Sequence, residues 1–363
     1  MKRKTAGLYD PYLDIIGGGE RHALSILKVL EDEYDPVVFW NENLSSKISK
    51  QLNLSFKTPI QFKKDIFKDK RISKFQKTNE LSKLDIFIYM TDGSYFFCTA
   101  KKNIVFALVP DKNLFKMSMM NKIKMMNCLF VTNSKFSQYH LNTWGVKAEI
   151  LYPYLDDSLL NYDPTEVKKE KIILSVGRFF TQLHAKRQDI MIEYFKRMKQ
   201  ELPQLKEYKL VLAGGLKEED KEYYQKIENM ANGDNTIELK PNISYDDLQD
   251  LYKQAEIYWH FTGYAVDEDK NPQHTEHLGI TPLEAMSYGD IAFCYKAGGL
   301  KETVQDELTG YLFSSYEELV KKLQRYFSNN DHKEMQQNAK KFINQTFSYD
   351  VFKKNVYRLF LNK

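Results

Sequence analysis

Twelve short apolar runs, each closed by turn residues and most followed by an amphipathic stretch, constrain this 363-residue chain more than any other feature. Such alternation is the pattern of βαβ units, which set parallel strands side by side under packed helices. Six runs lie in the first half: Thr5–Tyr9, Pro36–Trp40, Ile86–Tyr89, Asn103–Leu108, Cys128–Thr132 and Ala148–Leu151. The polar stretch 156–170, which contains Pro164, interrupts the rhythm and reads as a linker. Six more runs follow: Lys171–Val176, Lys209–Ala213, Thr236–Leu239, Ile257–His260, Asp290–Phe293 and Gly310–Phe313. Helices are expected between them, among others over Gln188–Gln200, Lys217–Ala231, Ser244–Gln254 and Thr281–Ser287. The expectation is an α/β chain of two similar domains with a cleft between. Ligands of open parallel sheets sit at the carboxyl ends of strands, so chemistry is sought directly after each run.

Charge and composition narrow the function classes. Residues 43–147 hold 19 Lys and Arg against 6 Asp and Glu, whereas 166–363 hold 29 against 31. A surface that basic can meet phosphate, nucleic acid or an anionic bilayer. A Lys-rich composition that biases every surface gives the same count. Nucleic acid is disfavoured, since no recognition-helix, ribonucleoprotein or zinc-finger pattern accompanies the charge. No window approaches the ~18–20 apolar residues of a spanning helix. Lys2, Arg3 and Lys4 lead into a strand-like run rather than a signal-peptide core. Cys98, Cys128 and Cys294 have no paired spacing, which implies neither a disulfide framework nor a zinc site and fits a reducing cytoplasm.

Three motifs follow strands. Gly17, Gly18 and Gly19 open a helix carrying Leu24, Leu27 and Leu30 on one face. A glycine turn at a helix start suits an anion, although such turns are common, and G-x-G-x-x-G is not met. Gly177 and Arg178 follow the first strand of the second half, with Lys186 and Arg187 before the next helix. Their cations would neutralise a diphosphate; a solvated loop carries the same residues. The third motif is NPQHTEHLGITPLEAMSYG, in which Glu276 and Glu284 stand eight apart around Gly279. Pro282 suits a first helical turn, so the amides of Gly279, Ile280 and Thr281 would face an anion while both carboxylates accept hydroxyl hydrogen bonds.

GGGER near the start, GRFF…AKRQ, E-H-L-G-I-T-P-L-E-A-M, AGGLKE and TGYLF together resemble the family 4 glycosyltransferases of GT-B fold, over nearly the whole chain. The resemblance implies two Rossmann-like domains with parallel sheets facing across a cleft. It places an N-terminal, acceptor-side domain over 1–155, a donor-side domain over 166–345, and a C-terminal helix, 346–363, crossing back to the first. It implies a retaining, metal-independent transfer of a hexose from a UDP- or GDP-linked sugar, with no cofactor, to a glycan or lipid-linked acceptor. Matched by position, Arg178 and Lys186 bind the diphosphate, Glu284 holds the ribose, and Glu276 faces the donor sugar. Gly18 and Gly19 close on the phosphate, and Gly177, Gly279, Ile280 and Thr281 complete the donor site. The Arg-to-Lys interval is longer than the family's usual loop, which brings Arg187 in beside Lys186. Many members carry a histidine where NIVFALVPDKN stands; here Asp111 is the nearest polar residue. His22, His260 and His277 are the histidines placed near the cleft. The missing histidine sustains an alternative, a catalytically silent relative that binds nucleotide or glycan as a partner subunit. A nicotinamide-dependent oxidoreductase is disfavoured by the absent fingerprint.

Three expectations are specific enough to check. The segment from Ser348 should form a capped helix burying Val351, Phe352, Val356, Leu359 and Phe360. Arg178 and Lys186 should be exposed, so that their loss spares the fold. DKNLFKMSMMNKIKMMNCLF sets Lys112, Lys116, Lys122 and Lys124 among Leu114, Phe115, Met117, Met119, Met120 and Ile123. That mixture suits either a core helix with a solvated lysine face or an anionic membrane surface, the latter making a cytoplasmic protein peripheral on the inner face.

Overall fold

A computed structural model describes residues 3–15, 17–164, 167–329 and 332–361. Lys2 of the basic lead-in and Thr165 and Glu166 of the polar joint lie outside the described residues. The chain divides into two units, Met1–Tyr154 with Asp350–Lys363, and Leu155–Tyr349.

The first unit holds a seven-stranded parallel sheet: β1 (Lys4–Tyr9), β2 (Tyr34–Phe39), β3 (Gln61–Lys63), β4 (Ile86–Met90), β5 (Lys102–Phe106), β6 (Cys128–Thr132) and β7 (Ala148–Ile150), in the order β3-β2-β1-β4-β5-β6-β7. The second holds six parallel strands: β8 (Glu170–Val176), β9 (Lys209–Gly214), β10 (Ile237–Pro241), β11 (Ala255–His260), β12 (Ile291–Tyr295) and β13 (Tyr311–Phe313), in the order β10-β9-β8-β11-β12-β13. All twelve expected strands are present, and two doubly wound α/β sheets are what the apolar runs announced. β3 was not expected. Its three residues, Gln61, Phe62 and Lys63, are largely exposed and hold a single apolar side chain, so no apolar run marks it; its pairing with Val37–Phe39 of β2 makes it a strand.

Both sheets are covered by helices, so their strands are apolar on both faces. Phe87, Tyr89 and Phe39 anchor the first core, and Trp259, Phe293 and Phe195 the second. In each sheet the strand order reverses once, between β1 and β4 and between β8 and β11. At such a point the loops leaving adjacent strands diverge to opposite faces and open a crevice at the strand ends.

The polar stretch 156–170 is no slack tether. It contains a short helix, Asp157–Leu160, with Leu159 and Leu160 buried. Tyr162 packs edge-on against Tyr288 at 4.9 Å, and its carbonyl accepts from Lys340 Nζ at 2.6 Å. At the other end, the extended backbone of Ser348 separates the helix Lys333–Phe347 from the helix Tyr349–Val356, which continues as a π-helical turn, Tyr357–Leu361. Phe352, Val356, Leu359 and Phe360 are buried as expected, and Val351 is half-buried. Phe352 sits 5.2 Å from Tyr154 and 5.8 Å from His22. No described helix is long and apolar enough to cross a membrane.

Candidate functional site

The residues singled out in the second unit lie at the ends of β8 and β11, the two strands that flank its reversal, or on the loops and the helix that follow them. Three of those side chains meet. Lys186 Nζ lies 2.6 Å from Glu276 Oε2, and the two side chains are only 12% and 14% exposed. His260, fully buried at the end of β11, places Nε2 2.8 Å from the same oxygen, with the Thr262 hydroxyl 3.0 Å from that nitrogen. Burial opposes the charge of Glu276, but the Lys186 ammonium and then the His260 ring outweigh it and hold the carboxyl well below its usual range. Burial, then the Lys186 charge, pushes His260 down. His260 Nδ1 is buried without a hydrogen-bond partner among the described residues. A neutral ring with Nε2–H donating to Glu276 leaves only a lone pair there, whereas imidazolium would strand a second N–H.

Backbone geometry brings these groups together. Gly177 follows β8, and a Cβ there would fall 2.4 Å from Lys186 Cγ, so only glycine lets the lysine stem cross. Gly279 has φ +95° and caps the helix Ile280–Ser287 with no side-chain hydrogen bond. The first amides of that helix, at Ile280 and Thr281, have no intrahelical acceptor and stand beside Glu276, whose Cγ is 3.4 Å from the position of a Gly279 Cβ; such an end suits an anion. Glu284, on the same helix, accepts from the Tyr252 hydroxyl at 3.1 Å. The Gly299 amide donates to the Glu276 carbonyl at 2.7 Å, so the AGGLKE turn backs the Glu276 loop.

Other candidates are engaged elsewhere. Arg178 stacks over Phe180 at 4.8 Å and donates through Nε and Nη2 to Asp220 Oδ2 at 3.0 and 2.9 Å. Its expected exposure therefore does not hold: the guanidinium is half-buried against a nearly buried carboxylate, as Lys186 is against Glu276. Arg187 takes a left-handed backbone and pairs with Asp189 at 3.1 Å, which leaves Lys186 as the cation on Glu276. His277 donates from Nε2 to the Gln273 carbonyl at 3.4 Å and faces His184 across 5.4 Å. Burial pushes these two rings down to about 4 and about 3. His184, Thr262 and Asp220 were not singled out in the sequence. His184 stands two residues before Lys186, which was a usable signal; Asp220 offered none.

In the first unit, Glu20 folds back so that its carboxylate accepts the Gly17 amide at 2.7 Å. The start of the helix Gly18–Leu30 thus already carries an anion, while Gly18 is open to solvent. Asp10, fully buried at the end of β1, is pushed up to about 7 by burial and then by the Glu20 charge. Asp111 accepts the Asn113 amide at 2.8 Å and caps a short 3₁₀ turn, Lys112–Phe115. His22 is a core residue rather than a site residue, edge-on to Phe106 at 4.7 Å and pushed down to about 3 by burial. Cys98 is buried and Cys128 half-buried, both as free thiols, with the Cys98 thiol 3.7 Å from the Phe96 carbonyl.

The profile of the family described as "Glycosyl transferases group 1" matches residues 161–342. The chain is 27% identical over 225 residues to the human GDP-Man:Man(3)GlcNAc(2)-PP-Dol alpha-1,2-mannosyltransferase, covering 57% of this chain and 42% of that protein. It is 27% identical over 232 residues to the alpha-1,3/1,6-mannosyltransferase ALG2 of Rhizomucor pusillus, covering 56% of this chain and 50% of that one. The alignments thus span about half or less of these curated relatives. Among solved structures, a glycosyltransferase from Rickettsia africae ESF-5 superposes over 100% of both chains with a TM-score of 0.73 at 15% identity. Anabaena Alr3699/HepE superposes over 99% of this chain and 100% of its own, again with a TM-score of 0.73 at 15% identity. These two likenesses bear on the fold, which is GT-B.

Proposed function

Because the chain belongs to the group 1 glycosyl transferases, we propose that it moves a hexose from a UDP- or GDP-linked sugar to a glycan or lipid-linked acceptor, with retention at the anomeric carbon. The mannosyltransferase relatives, by their names, favour GDP-mannose as donor and a lipid-diphosphate-linked glycan as acceptor. The observation that carries the proposal is the Lys186–Glu276–His260 cluster beside the open start of the helix Ile280–Ser287.

Each group has a task that its surroundings suit. An ammonium has three donors, and Lys186 spends one on Glu276; the others serve the donor diphosphate together with the Ile280 and Thr281 amides. Arg178, steadied by Asp220, adds a second cation to that diphosphate. Glu284 accepts from the ribose. Glu276, held ionised, accepts from the sugar hydroxyls and is a poor proton acceptor. As the anomeric C–O bond to the diphosphate breaks and the acceptor oxygen bonds to that carbon, the acceptor proton therefore passes to the departing phosphate oxygen. At the other glycine turn, Gly18 and Gly19, the nearby Glu20 carboxylate suits hydroxyl groups. With positive charge supplied by side chains and amides, transfer proceeds in the presence of a chelator. On the acceptor side the enzyme is peripheral on the cytoplasmic face, its 112–124 stretch against an anionic bilayer. Exposure of Met119, Met120 and Ile123 supports that placement.

The test is incubation with radiolabelled UDP- and GDP-hexoses in chelator, followed by anomeric NMR of the product. Transfer or hydrolysis, lost in Glu276→Ala, is the expected result. Absence of turnover with every donor, together with intact nucleotide binding, would establish the silent relative instead. Asp111, spent on a turn, is the observation favouring that second reading.

A further inference from the structure

The basic half of the chain exposes more apolar surface than the 112–124 stretch alone. In the first unit Phe75 is 81% exposed, Met119 82%, Met126 77%, Met120 55%, Ile123 48% and Phe97 42%. Single exposed apolar residues mean little; a joined set does not arise without use. These are joined. Phe75 lies in the first turn of the helix Lys74–Leu81, and one turn on the Thr78 carbonyl accepts from the Thr99 hydroxyl at 2.5 Å. Two residues before Thr99 stands Phe97, and two before that Tyr95, whose carbonyl accepts from Lys124 Nζ at 2.9 Å. Lys124 is the neighbour of Ile123 on the helix Met119–Met125. The Tyr95 hydroxyl also donates to the Leu114 carbonyl at 2.6 Å.

The loop between β4 and β5 is thus tied to one helix at each end. Its alternate residues face inward: Phe96 packs on Tyr89 and Phe67, each at 4.7 Å, and Cys98 is buried. Phe97, between them, is left outward. Charge agrees with the apolar pattern. Lys74, Lys112, Lys116 and Lys122 are exposed and form no ion pair among the described residues. No Asp or Glu occurs anywhere from 112 to 148. Exposed apolar side chains with unpaired ammonium groups on the same segments match an anionic bilayer, which takes the first into its acyl boundary and the second at its headgroups.

We propose that the first unit docks on an anionic lipid bilayer through one face built by three elements: Phe75 on the helix Lys74–Leu81, Phe97 on the β4–β5 loop, and Met119, Met120, Ile123 and Met126 at the helix Met119–Met125. It rests on the membrane-facing reading of 112–124 given above and extends it to two segments outside that stretch. Co-sedimentation would compare vesicles of phosphatidylcholine alone with phosphatidylcholine–phosphatidylglycerol mixtures, at low and high salt. The wild type should bind the anionic vesicles and lose binding as salt screens the lysines. Phe75→Ser and Phe97→Ser should each weaken binding about tenfold, with unchanged melting temperatures because both positions are exposed. If the wild type binds but the Phe75→Ser/Phe97→Ser double variant binds equally well, the three-element face is wrong while the 112–124 contact stands. If the wild type binds no anionic vesicle, both fail; sugar transfer to a detergent-dispersed acceptor, assayed in parallel, is judged separately. If the chain is a dimer that the double variant makes monomeric without vesicle binding, the patch is a self-association surface and the proposal is overturned.

Discussion

Glu276 shares one oxygen between Lys186 and His260, at 2.6 and 2.8 Å, so changing any of the three alters the other two. Lys186→Ala leaves a nearly buried carboxylate without its cation. A loss of about 3 kcal/mol is expected from melting curves, where an exposed lysine would cost almost nothing. Lys186→Met combined with Glu276→Gln removes both charges and should recover much of that loss. Both proteins should turn over about 10²–10³ times more slowly, the scale on which one electrostatic donor matters. Arg178→Ala should cost about 1–3 kcal/mol, because it takes the half-buried guanidinium from the nearly buried Asp220 carboxylate. Asp10 makes a separate prediction about pH. Its carboxyl is raised to about 7 in the fold, against an ordinary value near ~3.9. The folded state therefore holds its proton more tightly, and the stabilisation is full below about pH 4 and lost as pH rises through about 7. From pH 5 to 8 the wild-type melting temperature should fall relative to that of Asp10→Asn, whose profile lacks this slope. Parallel profiles would show that Asp10 is ionised throughout.

Elements were legible in the sequence where their cause is local. A buried parallel strand is an apolar run, and Pro282 with Gly279 marks a helix start, so β8, β11 and the helix Ile280–Ser287 could be placed from residues alone. β3 could not, because an edge strand of three residues with one apolar side chain, Phe62, exists only through its neighbour. Side-chain partners were illegible for the same reason. Nothing in the spacing says that Arg178 goes to Asp220 while Lys186 crosses Gly177 to Glu276. Methionine-rich helical spacing was equally silent about exposure: Met125 is buried, whereas Met119 and Met120 on the same helix are exposed. Gly279→Ala tests the best-read element. At φ +95° an alanine is strained, and its Cβ would meet Leu300 Cδ2 at 2.8 Å. A loss of about 1–3 kcal/mol is expected, with weaker nucleoside-diphosphate binding in calorimetry as the amides at Ile280 and Thr281 shift. Unchanged affinity in a destabilised variant would remove that helix start from the donor site.

At the scale of the molecule, the first unit is discontinuous in sequence: the chain leaves it after Tyr154, builds the second unit, and returns at Asp350. The returning segment buries Phe352, Val356, Leu359 and Phe360, with Phe352 against Tyr154 and His22. Each such side chain is worth roughly 1.5–3 kcal/mol when removed from water, and four of them approach the ~5–15 kcal/mol by which a folded domain is stable at all. The core cluster of the second unit around Trp259, Phe293 and Phe195 contains none of these four side chains. Truncation after Tyr349 should therefore unfold the seven-stranded sheet and spare the six-stranded one. Hydrogen exchange would show it, with protection lost in peptides from β1, β4 and β5 and kept in β8, β9 and β11. Because the proposed donor contacts of Lys186, Glu276 and Glu284 all belong to the spared unit, a nucleoside diphosphate at ~100 times its dissociation constant should still stabilise the truncated chain, by about 2.7 kcal/mol. Equal loss of protection in both sheets would mean that the units fold as one. Retained protection with no stabilisation by nucleotide would place part of the donor site on the first unit.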